Sequence, residues 1–85
     1  MQVLIPSALR SYTGAMRVEA EGRTLDGLLA DLDRRYPGLR FRMVDEQDRL
    51  RPNMRVFVNG RATFDLGLAL QPGDDVAIVQ ALSGG

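Results

Sequence analysis

Hydrophobic positions along this chain change period from one stretch to the next, and each change marks an element. Gln2-Val3-Leu4-Ile5, apolar from Val3 on and stopped by Pro6, reads as a short strand, and Ser7 to Gly14 carries the turn residues of a connection. Ala15 to Ala20 alternates, setting Met16, Val18 and Ala20 on one face and Arg17 and Glu19 on the other, the pattern of a half-buried strand. Two strands so close in sequence are expected to pair as a hairpin. From Leu25 the period lengthens. Leu25, Leu28, Leu29, Leu32 and Tyr36 recur at helical spacing, with Asp26, Asp31, Arg34 and Arg35 around them. Thr24 supplies the N-cap, and Pro37-Gly38 stops the helix, because proline cannot continue it and glycine suits a left-handed cap.

The second half reads less regularly. Leu39 to Pro52 is charged and is expected to form a long ordered loop with room for a turn of helix, anchored on the core by Phe41, Met43, Val44 and Leu50. Met54 to Val58 is a strand, and Asn59-Gly60 is a tight-turn signal leading to a short return around Ala62 to Phe64. Leu66, Leu68 and Leu70 follow. Pro72-Gly73 has the chemistry of a type II turn, and Asp74 to Ala81 makes the last strand. In a chain this short, an α+β arrangement with one main helix on one face of one sheet is what buries the leucine stripe. If Val3, Ile5, Val56, Val58, Val76 and Ile78 face that helix, alternation puts Leu4, Phe57, Ala77 and Val79 on the other side of the sheet. Those four residues are the candidate partner-docking face.

Composition removes most chemistry. The 85 residues make one small domain, with no cysteine, histidine or tryptophan. Thiol nucleophiles, Ser-His and Cys-His pairings, and imidazole or thiolate metal sites are therefore excluded. Asp45, Glu46 and Asp48 form a local acidic run without the spaced carboxylates and glycine of a calcium loop. Asp74 and Asp75 are adjacent, so an extended backbone would point them to opposite faces, and a turn is their expected place. No catalytic residue and no metal ligand is assigned. Eleven basic and eleven acidic residues cancel, with no basic stripe to argue for nucleic acid or a membrane surface. With no long apolar run and no signal peptide, a cytoplasmic protein is expected. Every basic residue is arginine.

What remains is the ending, Ser83-Gly84-Gly85. At about 7% average glycine usage, two glycines fall there by chance in roughly 0.5% of chains. A domain over residues 1–81 that presents a flexible diglycine tail, Leu82, Ser83, Gly84 and Gly85, is the expected organisation. Extended, Ser83 to Gly85 would reach roughly 10 Å at 3.3–3.6 Å per residue.

The order of elements, the run Arg55-Val56-Phe57-Val58-Asn59-Gly60, the run Pro72-Gly73-Asp74-Asp75-Val76 and the diglycine ending together resemble the MoaD/ThiS family of ubiquitin-like sulfur carriers, over essentially the whole chain. The resemblance implies a β-grasp fold. That is a mixed four- to five-stranded sheet with one main helix on one face, its first and last strands adjacent and parallel at the centre. Ile5-Pro6-Ser7-Ala8-Leu9-Arg10 and Tyr12-Thr13-Gly14 look like the actinobacterial branch that feeds cysteine biosynthesis.

The same resemblance implies that the chain is no enzyme but a substrate. An E1-like enzyme would use ATP and magnesium to adenylate the Gly85 carboxylate, and sulfur would replace the AMP to leave a thiocarboxylate. Glycine suits such a tail because it must enter a narrow channel and adopt backbone angles open to a residue without Cβ. The acceptor would be a synthase, holding an aminoacrylate on pyridoxal phosphate in the cysteine branch, with a metal-dependent peptidase releasing the product. Those cofactors belong to the partners, and none is bound by this chain. Three other readings stay open. One is the small subunit of molybdopterin synthase. Another is a protein modifier whose Gly85 forms isopeptide bonds with lysines of targets, although a chain without lysine cannot build lysine-linked polymers on itself. The third is a plain interaction module whose terminal glycines are inert.

Overall fold

The computed structural model describes residues 1–81, so the expected tail from Leu82 to Gly85 lies outside the described residues. β1 (Gln2–Leu4) and β2 (Arg17–Glu19) pair antiparallel as the expected hairpin, Val3 opposite Val18. Their connection is helical rather than a plain turn. A 3-10 turn at Ser7–Leu9 runs into α1 (Arg10–Thr13), and Gly14 ends it at φ 69°. Curling the chain in this way drives Leu9 into the core. Val18 and Ala20 are buried as expected, but Met16 is exposed. Its carbonyl still accepts from the Ile5 N–H at 2.7 Å, but it precedes β2, an edge strand with a neighbour on one side only.

α2 (Leu25–Arg35) begins where Thr24 Oγ1 accepts from the Gly27 N–H at 3.1 Å, as an N-cap should. Leu25, Leu28, Leu29 and Leu32 are fully buried against the sheet. Gly38, at φ 94°, takes the left-handed turn that joins α2 to α3 (Leu39–Met43). That short helix is the turn of helix expected in the charged loop, and it buries Leu39 and Met43, with Val44 just beyond it. Leu50 packs against the core from outside. Phe41 departs from expectation: it is 60% exposed. Two residues from both Leu39 and Met43, it sits on the opposite side of the same helix.

β3 (Met54–Val58) and β4 (Arg61–Thr63) join through Asn59 (φ 51°) and Gly60 (φ 83°), both in the positive range a two-residue hairpin turn needs. The stretch after β4 closes the start of α2. Its Leu68 and Leu66 carbonyls accept from the N–H groups of Leu25 (2.9 Å) and Asp26 (2.7 Å), which have no partner inside the helix.

The turn at Gln71–Asp74 is closed by the Asp74 N–H on the Gln71 carbonyl at 3.0 Å, yet it is not the expected type II form, since Gly73 is not among the positive-φ glycines. Asp74 explains why. Its Oδ2 accepts from the Gln71 N–H at 2.8 Å and its Oδ1 from Asn59 Nδ2 at 2.9 Å, fixing the turn from its side chain.

β5 (Val76–Gln80) completes a five-stranded sheet of order β2-β1-β5-β3-β4. β5 is central, parallel to β1 (Val3 beside Val76) and antiparallel to β3. Parallel pairing of the first and last strands was implied by the family resemblance and not by periodicity. Val3, Ile5, Val56, Val58, Val76 and Ile78 are all buried under α2. Among the described residues no helix is long and apolar enough to cross a membrane.

Candidate functional site: the open sheet face and the end of the last strand

Because the helices cover one face of the sheet, alternation leaves the other open. The four candidate docking residues lie on it. Leu4 is level with Ala77 across the parallel pair, and Phe57 is level with Ala77 across the antiparallel pair, so the three form one row, each half-buried. Val79 stands in the next row towards the end of β5, opposite Arg55, and is exposed. The Phe57 ring has alanines as neighbours on both sides, Ala77 and Ala62. Small partners leave it standing above the sheet.

Two residues of this face escaped the sequence reading. Phe64, just past β4, is 64% exposed, and the Arg55 guanidinium lies 5.5 Å from its ring centroid. The signal was present: a two-residue turn that pairs Val58 with Arg61 brings Phe64 opposite Arg55 three residues further on.

The backbone of β5 holds its course to the last described residue, where the Ala81 N–H donates to the Asn53 carbonyl at 2.7 Å. Beside this end a cleft is lined by Leu9, Phe41, Arg42, Arg51, Asn53 and Gln80. Arg51 stacks 4.7 Å from the Phe41 ring centroid, and its Nε donates to the Phe41 carbonyl at 2.8 Å. At the far end of the sheet Asn59 ties two turns together. Its Nδ2 donates to Asp74, its Oδ1 accepts from the Asp75 N–H at 2.9 Å, and its own N–H donates to the Asp75 carbonyl at 2.8 Å. Asp74 and Asp75 thus lie in and beside a turn, as expected.

The carboxylates with shifted pKa values are engaged in structure. Asp31 is lowered from 3.8 to about 2, first by the Glu21 N–H that donates to it at 2.9 Å and then by Arg34 and Arg35. Asp74 is lowered chiefly by the Gln71 N–H and then by Asn59. Asp45, in the local acidic run, is lowered chiefly by the Arg49 N–H, with Gln47 donating to it as well. Arg40 is raised by Asp26 first and then, against its partial burial, by Asp48. Each of these groups fixes a loop or a helix end and none is poised for proton transfer. Among the described residues no three or more carboxylates are grouped to hold a metal.

A small domain of this topology, with an open apolar sheet face leading to its last strand, is a ubiquitin-like β-grasp protein. The chain belongs to the ThiS family, which it matches over residues 3–85. It is 35% identical to the sulfur carrier protein CysO of Mycobacterium tuberculosis, an alignment covering 98% of this chain and 96% of that protein. Among solved structures it is similar to a chain of the Amycolatopsis orientalis BexX/CysO complex (TM-score 0.90, 33% identity, 99% and 98% of the two chains). It is also similar to SAMP1 from Haloferax volcanii (TM-score 0.80, 30% identity, 100% and 98%). Its curated relatives are sulfur carriers rather than catalysts.

Proposed function

We propose that this chain carries sulfur as a thiocarboxylate on Gly85, for the synthesis of cysteine or a related thiolated metabolite. The observation that supports this reading most is the 35% identity to CysO over nearly the whole of both chains, together with a family match that runs through Gly85. In this reading the Gly85 carboxylate attacks the α-phosphate of ATP, held with magnesium by an E1-like partner, and pyrophosphate leaves. A sulfur nucleophile delivered by that partner then attacks the acyl carbon and AMP leaves.

The chain supplies no acid or base to these steps. Its contribution is to hold the tail at the end of β5, beside a face on which the partner docks through Leu4, Phe57, Ala77 and Val79. The similarity to a chain of the BexX/CysO complex supports such docking. A sulfur-accepting synthase, with pyridoxal phosphate in the cysteine branch, would consume the thiocarboxylate.

A second reading, a modifier joined to lysines of other proteins, is favoured by the similarity to small archaeal modifier protein 1 of H. volcanii. Intact-mass measurement on the protein from its native host separates the two. Exchange of one terminal oxygen for sulfur is the result expected. Isopeptide-linked targets with no thiocarboxylate would replace the carrier by the modifier.

A further inference from the structure

Charge is distributed unevenly along this neutral chain. No aspartate or glutamate occurs in residues 1–18 or 49–64, although these stretches hold Arg10, Arg17, Arg49, Arg51, Arg55 and Arg61. The fold gathers part of this excess at one place. Arg51 and Arg42 line the cleft beside Gln80, Arg55 stands opposite Val79, and Arg10 bonds the Ile5 carbonyl just past the end of the parallel strand β1. All four lie around the point where the backbone leaves β5.

Four of the eleven arginines, Arg34, Arg35, Arg40 and Arg49, each have a carboxylate within 4.0 Å. Among the described residues the other seven have none, and four of those seven, Arg10, Arg42, Arg51 and Arg55, are the ones gathered here. Three of the four are fixed instead by backbone carbonyls. Arg10 Nε donates to Ile5 at 3.0 Å, Arg51 Nε to Phe41 at 2.8 Å, and Arg55 Nη1 to Pro52 at 2.6 Å. A guanidinium has five N–H donors, so each keeps a forked set free for a carboxylate.

Three of the five exposed large apolar residues among those described fall in the same region. Phe41 stacks with Arg51, Phe64 with Arg55, and Val79 precedes the last residue of β5. Aromatic and arginine side chains paired in this way, on either side of the end of β5, have the composition of a protein interface. The opposite end of the sheet carries Glu19, Asp74 and Asp75.

We infer that this arginine and aromatic collar docks on an acidic protein surface surrounding the channel that receives the tail, in the adenylating partner. The inference rests on the carrier reading above and names the chemistry of the partner's rim. Positive charge held by hydrogen bonds around the end of β5 orients the carrier before insertion, a steering effect that weakens as salt shortens the screening length to about 10 Å at 0.1 M.

The test uses the purified adenylating enzyme of the same host, with ATP, measuring KM and kcat for the carrier. The double variant R51E/R55E is expected to raise KM on the order of tenfold or more, as like charges brought together at an interface do, with kcat changed less than about twofold. R61E, at the far end of the sheet beside Val58, is expected to leave both unchanged. The KM of the natural sequence should rise with added salt and that of the double variant should rise less.

If the glutamate variant lowers the thermal midpoint, R51Q/R55Q removes the charges while keeping hydrogen-bonding groups and answers the same question. Normal adenylation with KM unmoved in the charge variants overturns the collar and leaves the carrier reading standing. Failure of the enzyme to adenylate the natural sequence overturns the carrier reading, and the collar falls with it.

Discussion

Gly22 has no side chain because α2 leaves no room for one. A Cβ there would lie 2.7 Å from the Gly27 carbonyl carbon and as close to Leu28 Cα. Both are backbone atoms of a helix turn whose leucines are locked in the core, so nothing flexible can yield. Gly22→Ala should cost about 1–3 kcal/mol, the range for forcing atoms into filled space, and a lower urea midpoint with an unchanged slope would show it. Gly85→Ala makes the opposite prediction. The core runs from Val3 to Ile78, so the thermal midpoint should stay put while adenylation and thiolation are lost. Normal thiolation of that variant would refute the steric argument for glycine in the channel. Gly85 could be picked out from sequence by its place in the chain, whereas Gly22 passed as an ordinary loop glycine. Its constraint comes from a helix that returns over it, and no local pattern records a tertiary approach.

At the scale of elements, α2 was legible because its signals are local: a capping threonine, a leucine stripe and a Pro-Gly stop. The features that were misread depend on neighbours. Met16 alternates correctly and is still exposed, because burial on an edge strand is decided by what lies beside it. Phe41 is apolar and faces outward because α3 already spends its inner side on Leu39 and Met43. The turn at Pro72-Gly73 takes its form from Asp74 and Asn59, fifteen residues apart.

Asp31 is another such case. Helical spacing places it on the polar side of α2, but there it accepts the Glu21 N–H and binds Arg34 and Arg35, joining the helix to the strand connection before it. Its folded pKa, about 2, lies below the ordinary 3.8. A depressed folded value stabilises the native state above the unfolded pKa, and that contribution is lost as pH falls from about 4 through about 2. Asp31→Asn should therefore be less stable than the natural protein at pH 7, with the difference closing by pH 2. A pH series of thermal midpoints checks it, and a gap constant across that window would show that the charge contributes nothing.

For the whole molecule, the decisive fact is the parallel contact of β1 with β5, strands more than seventy residues apart in sequence. Alternation predicts which side of each strand is apolar, but it cannot say which strands are neighbours. Once β5 is central, Leu4, Ala77 and Phe57 align in one row with Val79 beyond, and the open face acquires a direction towards the end of the domain. The docking role proposed for that face can be separated from a structural one at Phe57. Its cross-strand neighbours are alanines, so little packing is lost when the ring is removed. Phe57→Thr keeps a side chain suited to a strand, and should cost the fold no more than about 1 kcal/mol, the scale of a cross-strand pair. An aromatic anchor at an interface is worth about 2 kcal/mol or more, so the KM for the adenylating partner should rise roughly thirtyfold while the unfolding transition stays cooperative. Collapse of that transition would assign Phe57 to the fold. An unchanged KM in a well-folded variant would move the docking surface off the row of Leu4, Ala77 and Phe57, leaving the partner to grip the carrier at the end of β5 and by the arginines beside it.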